Sequence, residues 1–175
     1  MNAVSDPAVL RALVTRVWSF AYRVTEDVPL AEAMVANACN AGAEAGRAGA
    51  GCAVGERETL VRMLAAAHSV LRSGSAYERY ERSRRATRHS PSASGRRRVR
   101  NADVHSRILA EFRSLAPPER AALLLAEVEG LTYEESAEVL GVSVDRAKLA
   151  HVAVRLKLGR AFNEHGSKPP MSASR

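Results

Sequence analysis

Aromatic side chains are scarce in this sequence, with one tryptophan, four tyrosines and three phenylalanines among 175 residues. Together with abundant Ala and Leu, that scarcity favours small helical bundles over sheets. Cysteine is almost missing. Cys39 and Cys52 have no second thiol or histidine at zinc-ligand spacing, so idle or buried thiols are expected rather than a disulfide or a metal site. No apolar run is long enough for a membrane helix, and the N-terminus lacks the basic-then-apolar order of a signal peptide. A cytoplasmic protein without membrane contact is expected. The five histidines (68, 89, 105, 151 and 165) stand in no metal or triad spacing, and no glycine-rich phosphate loop follows a strand. Enzymatic chemistry and a cofactor are therefore not expected, and His68 and His151 read as helix-surface or core-edge residues.

Acids are nearly absent from the middle of the chain. Between Arg79 and Arg100, nine arginines face the single acid Glu81, a surplus of eight that outweighs the net charge of +7 of the whole chain. A block of this kind suggests an anionic partner, with nucleic acid first, and within it Arg84, Arg85, Arg96, Arg97 and Arg98 are candidate contacts. The same composition also fits a solvated linker.

Around that block the chain divides by composition. Residues 1–73 read as a helical domain, 74–101 as a basic flexible linker, 102–163 as a second helical domain and 164–175 as a disordered tail. The fold class is thus all-α, two small helical domains joined by an Arg-rich linker. In the first domain Val9, Leu13, Val17, Phe20, Ala21 and Val24 recur at three- and four-residue spacing and share a face. Trp18 and Tyr22 belong to the same apolar pattern, so core packing is expected of them in preference to stacking on unpaired bases. Asp6-Pro7 suits a cap and a first helical position. A second helix is predicted from Leu30 to about Ala45, frayed by five glycines between Gly42 and Gly55, and a third from Glu56 to about Leu71.

The second domain carries the sharper signals. Its first helix, from about Val104, ends at Ala116-Pro117-Pro118, because proline removes a donor and biases the preceding residue away from helix. A helix from Glu119 to Glu127 follows and Gly130 stops it. Thr132 with Glu135 makes a capping box, Gly141 supplies a tight turn, and Ser143 caps a last helix bearing Arg146, Lys148, Arg155, Lys157 and Arg160. Two short helices, a glycine turn and a basic second helix are the geometry that places a helix in the DNA major groove. An ordinary antiparallel helical pair has the same outline.

The run LAPPERAALLLAEVEGLTYEESAEVLGVSVDRAK resembles region 4 of sigma-70 factors of the extracytoplasmic-function group. Leu115, Pro117-Pro118, Arg120, Leu123, Glu129-Gly130, Leu131, Tyr133, Glu135, Ala137, Leu140-Gly141, Ser143 and Lys148 stand at matching places. The stretch RVTEDVPLAEAMVANA more faintly resembles sigma region 2, through Arg23, Thr25, Asp27, Ala31, Glu32 and Val35. On this resemblance the first domain is a region 2-like bundle of three or four helices. Its Glu32, Met34 and Val35 would meet core RNA polymerase, and Ser143, Arg146, Lys148, Arg155, Lys157 and Arg160 would meet promoter DNA at the −35 element. The implied partners are promoter DNA, core polymerase and an anti-sigma factor.

Departures fall on both surfaces. Acids expected in region 2 appear as Leu30, Ala33 and Asn37, and the last helix carries Leu149, Ala150, Val152, Ala153 and Val154 where DNA contacts are expected. Five such residues in six positions cannot all face the core of one helix. Three functions stay open: a sigma factor, a sigma mimic that binds an anti-sigma factor or another regulator, and a helix-turn-helix DNA-binding regulator.

Overall fold

The structure is a computed structural model that describes residues 6–48, 55–73, 78, 80–82 and 104–166, with side chains 45–48, 104, 105, 107 and 161–166 left undescribed. The described residues hold seven long helices and no strand: α1 (Pro7–Thr25), α2 (Val28–Ala48), α3 (Glu56–Arg72), α4 (Val104–Ser114), α5 (Pro117–Glu127), α6 (Tyr133–Leu140) and α7 (Val144–Gly166). The described residues are all-helical, as the sequence implies.

Helix α1 starts where the Asp6 carboxylate accepts from the Ala8 amide at 2.8 Å, with Pro7 at the first helical position. It ends at Glu26, whose φ of 52° is left-handed. The turn into α2 is tied locally, Asp27 Oδ1 accepting from the Leu30 amide at 2.9 Å. Helices α1, α2 and α3 pack together through Leu13, Val17, Phe20 and Val24, then Ala31, Met34 and Ala38, then Leu60, Met63, Leu64 and Ala67. Asn37, at a position where the resemblance expects an acid, donates from Nδ2 to Ala66 O at 2.7 Å and to Ser69 Oγ at 3.2 Å. It ties α2 to α3.

Three expectations differ from the structure. First, α2 passes through Gly42 and Gly46 as helix and runs to Ala48, a little beyond the expected end near Ala45. Gly42 lies buried inside it, where an added Cβ would sit 3.4 Å from both Cγ and Sδ of Met63, so this glycine allows close helix approach. Second, Trp18 and Tyr22 are not core residues; they are 37% and 45% exposed. The buried stripe centres on Leu13, Val17, Phe20 and Val24, and at 100° per residue both aromatics fall outside it. Third, His68 and His151 are buried, not on the surface or at core edges.

The second unit, α4 to α7, shares one continuous apolar core with the first, joined by Ala121, Leu124, Leu125, Leu131, Ala137, Val139, Leu140 and Ala147. Helix α3 packs on α6, and α1 on α5. Polar pairs line this junction. Arg57 grips Glu135 with both Nε and Nη2, at 2.5 and 2.6 Å, and Nη2 also donates to Gly130 O at 3.1 Å. Arg16 Nε donates to Glu129 at 3.0 Å, and Arg113 Nε to Glu26 at 3.0 Å.

Arg120 sits at the centre of the junction, 1% exposed and among the largest fully buried side chains. Its guanidinium donates to Leu115 O at 3.2 Å, to Arg23 O and Arg113 O at 3.4 Å, and to the Tyr80 hydroxyl at 3.5 Å. Glu26 lies 3.7 Å away and the Phe112 ring 5.9 Å away. Five N–H donors in a planar fork suit this ring of acceptors, which a lysine cannot match. Tyr80, in the segment read as linker with a helix possible through Tyr77 and Tyr80, is helical and buried.

Candidate nucleic-acid interface

The helix-turn-helix forms from its own local signals. Glu119 accepts from the Ala116 amide at 2.9 Å and so closes the start of α5 after Pro117. At α6 the capping box is complete: Thr132 Oγ1 accepts from the Glu135 amide at 3.2 Å, and Glu135 Oε2 accepts from the Thr132 amide at 2.7 Å. Arg57 lies on the same carboxylate and is the main cause holding its pKa down at about 2. Gly141 then ends α6 with φ 65° and ψ 41°, a left-handed cap that glycine adopts without penalty, and an Arg72 guanidinium lies where a Cβ would go. Ser143 Oγ accepts from the Arg146 amide at 3.4 Å at the head of α7.

A buried relay fixes how α7 lies on the other two helices. His151 is 5% exposed; its Nε2 bonds Glu127 Oε1 of α5 at 2.8 Å, and its Nδ1 bonds the Tyr133 hydroxyl of α6 at 3.1 Å. A carboxylate only accepts, so Nε2 carries the proton toward Glu127. One imidazole thereby links α5, α6 and α7. Sequence spacing gave no hint of this role, because its partners lie 18 and 24 residues away.

The outer face of α7 has two kinds of residue. Leu149, Val152 and Leu156 are 69%, 48% and 57% exposed, and their spacing of three and four places them on one ridge. Lys148 and Arg155 lie about a quarter-turn to one side of it, and Arg146 and Arg160 on the other. From Arg146 to Arg160 the helix contains no acid. Ala147 and Val154 turn inward and are buried, while Ala150 is half-buried. The crowding expected of the apolar run is resolved by leaving Leu149, Val152 and Ala153 outside.

The expected DNA contacts are brought together on α7 but are not equally available. Arg146 and Arg160 are exposed. Arg155 pairs with Glu127 at 3.6 Å, Lys157 pairs with Glu119, and Lys148 Nζ stands 5.7 Å over the Tyr133 ring. Ser143 works as a cap at the helix start. The expected polymerase contacts divide as well: Glu32 is exposed and Val35 half-buried, but Met34 is fully buried in the bundle core and offers no surface to a partner. Arg84, Arg85, Arg96, Arg97 and Arg98 lie outside the described residues. Among the described residues no cluster of His, Cys, Asp or Glu is arranged to hold a metal, and no helix is long and apolar enough to cross a membrane.

Against known families, the model of Sigma-70, region 4 matches residues 105–160. That stretch is similar to sigma-70 region 4. The match begins in α4, ends near the last described side chain of α7, and takes in the whole helix-turn-helix. It does not extend to α1, α2 or α3. No curated protein and no solved structure matches the chain.

Proposed function

We propose that the protein is a cytoplasmic sigma factor of the extracytoplasmic-function type. In this reading α7 of the region 4 module meets promoter DNA at the −35 element, and the α1–α3 bundle engages core RNA polymerase and opens the −10 element. The observation that carries the reading is the exposed face of α7. It is held rigidly by the Gly141 turn, the Ser143 cap and the His151 relay, and it presents Arg146, Lys148, Arg155 and Arg160 without a single intervening acid. Cations at these positions neutralise phosphates and hold the helix in register on the duplex. Glu32 and Val35 remain the polymerase contacts; Met34 contributes by packing.

A second reading has its own observation. The two units share a core and are clamped by Arg57–Glu135, Arg16–Glu129 and Arg113–Glu26, which suits a sigma-like protein that stays closed and binds an anti-sigma factor or another regulator.

Pull-down of the purified full chain with core RNA polymerase, followed by run-off transcription on genomic fragments, separates the readings. Stable binding with new start sites is expected of a sigma factor. DNA binding without polymerase binding would reduce the protein to a helix-turn-helix regulator. Loss of both, with an anti-sigma-like protein bound instead, would establish the mimic.

A further inference from the structure

The ridge of Leu149, Val152 and Leu156 is an unusual surface for a helix that faces DNA. A helix about 10–12 Å across fills a major groove about 12 Å wide, so the residues on its outermost line meet the base edges while those a quarter-turn away meet the phosphates bordering the groove. On α7 the outermost line begins at the exposed Asp145 in the first turn and is aliphatic beyond it, at Leu149, Val152 and Leu156, and both flanks are basic, with Lys148 and Arg155 on one side and Arg146 and Arg160 on the other. The flanks complement two phosphate strands. The ridge offers no hydrogen bond to a base.

An aliphatic side chain pressed on a base-edge donor or acceptor removes water without replacing the lost bond, which is unfavourable. The major-groove floor displays one apolar group, the C5-methyl of thymine. We propose that Leu149, Val152 and Leu156 read thymine methyl groups, so that the preferred duplex presents two or three thymines along the path of α7. The inference rests on the reading of α7 as the DNA-facing helix and adds the chemistry of its specificity. Charge argues against a second copy of this chain on the ridge, since the same basic flanks would face each other across such an interface.

The test uses the full chain and short duplexes that differ only in methyl groups, with binding followed by fluorescence anisotropy. One duplex carries a thymine tract; in its counterpart every thymine of the tract is deoxyuridine. Burying one methyl corresponds to about fourfold in affinity, so two or three contacts predict about 15- to 60-fold weaker binding to the deoxyuridine duplex. A cytosine tract converted to 5-methylcytosine should regain part of that difference. In the triple variant Leu149→Ser, Val152→Ser, Leu156→Ser the thymine-to-uracil ratio should fall toward one while salt-dependent binding persists. The ridge is exposed, so this variant keeps its core, as a circular-dichroism melt will check. Arg146→Gln with Arg160→Gln should instead weaken both duplexes alike and reduce the salt slope. Equal binding of thymine and deoxyuridine duplexes, with salt dependence intact, would overturn the inference and leave the DNA reading standing. Absence of binding to any duplex at low salt would overturn both. Self-association that disappears in the triple serine variant would assign the ridge to a second copy and overturn the inference too.

Discussion

Replacing Arg120 by methionine tests whether the junction between the two units depends on a buried cation. Methionine keeps much of the aliphatic stem and its volume, and removes the charge and all five donors. The carbonyls of Leu115, Arg23 and Arg113 and the Tyr80 hydroxyl would each lose a donor in a site that is 1% exposed. Leaving a buried polar group short of a partner costs about 1–3 kcal/mol. These bonds are long, at 3.2 to 3.5 Å, which places each at the low end. Glu26 is 37% exposed on its side chain and regains water, so its loss of the 3.7 Å pairing adds little. Relief of the guanidinium's own desolvation offsets part of the total. The net expectation is a loss of about 2–4 kcal/mol, a large share of the 5–15 kcal/mol typical of a folded protein. Urea unfolding followed at 222 nm measures it, and an unchanged m-value would show that the change lies in stability rather than in compactness. Arg120→Lys, which keeps the charge but not the planar fork, should recover only part of the loss. Arg120→Met with stability equal to or above the parent would refute the reasoning, since it would mean that burying the guanidinium costs more than its acceptors return.

Three further outcomes are expected. Gly141→Ala forces a side chain to φ 65° and against Arg72, so it should destabilise by about 1–2 kcal/mol, read as a lower melting temperature. His68 is 4% exposed, and burial, aided by the Arg72 cation, lowers its pKa from 6.5 to about 4. The unfolded chain therefore takes up a proton that the fold refuses, and stability should fall by up to about 3 kcal/mol as pH drops from 6.5 to 4. His68→Leu should flatten that part of a urea-midpoint-against-pH curve, and an unaltered slope would remove His68 as its source. Arg57→Ala should let the Glu135 carboxyl rise from about 2 toward the ordinary carboxylate range, because its main stabilising partner is gone while the Thr132 amide remains. A carbon-detected NMR titration reads this directly.

Punctuation of the helices was legible in the sequence because capping is local. Asp6-Pro7, Thr132 with Glu135, Gly141 and Ser143 all act within three or four residues of where they stand, and all occupy the places their chemistry implies. The inward face of α1 was legible for the same reason, although Trp18 and Tyr22 made the apolar stripe look wider than the one that is buried. Gly42 misled because a glycine that weakens an isolated helix also removes the side chain that would keep two helices apart, and only the position of Met63 decides which matters. Burial of Arg120, His68 and His151 was not legible. Each side chain type is ordinarily exposed or ambiguous, and what pulls these inward is a ring of partners or an apolar interface contributed by distant segments. At the candidate interface the cations could be read directly from the sequence. Which of them are already engaged by Glu119, Glu127 or Tyr133 depended on the fold.

The shared core bears most directly on how the chain would work on a promoter. The −35 and −10 elements lie about 25 base pairs apart, or about 85 Å along B-DNA at 3.4 Å per base pair. A compact chain of 175 residues has a radius of gyration of about 16 Å and spans about 40 Å. The closed arrangement thus allows α7 to reach DNA, since its outer face is free, but does not allow both units to reach their elements together. A sigma factor of this fold must part α3 from α6 and α1 from α5, and break the pairs of Arg57, Arg16 and Arg113 as it does so. Polymerase would supply the difference by binding the open form more tightly, and its apparent affinity would be lowered by the fraction of chain that is open. Locking the junction separates the readings. With Cys39→Ser and Cys52→Ser as background, a short bis-maleimide joining Arg57→Cys to Glu135→Cys should abolish run-off transcription while leaving duplex binding by α7 intact. Transcription that survives the lock would show that the units need not separate. A regulator that binds the locked chain as well as the free one would favour the mimic, for which the closed form is already the functional state.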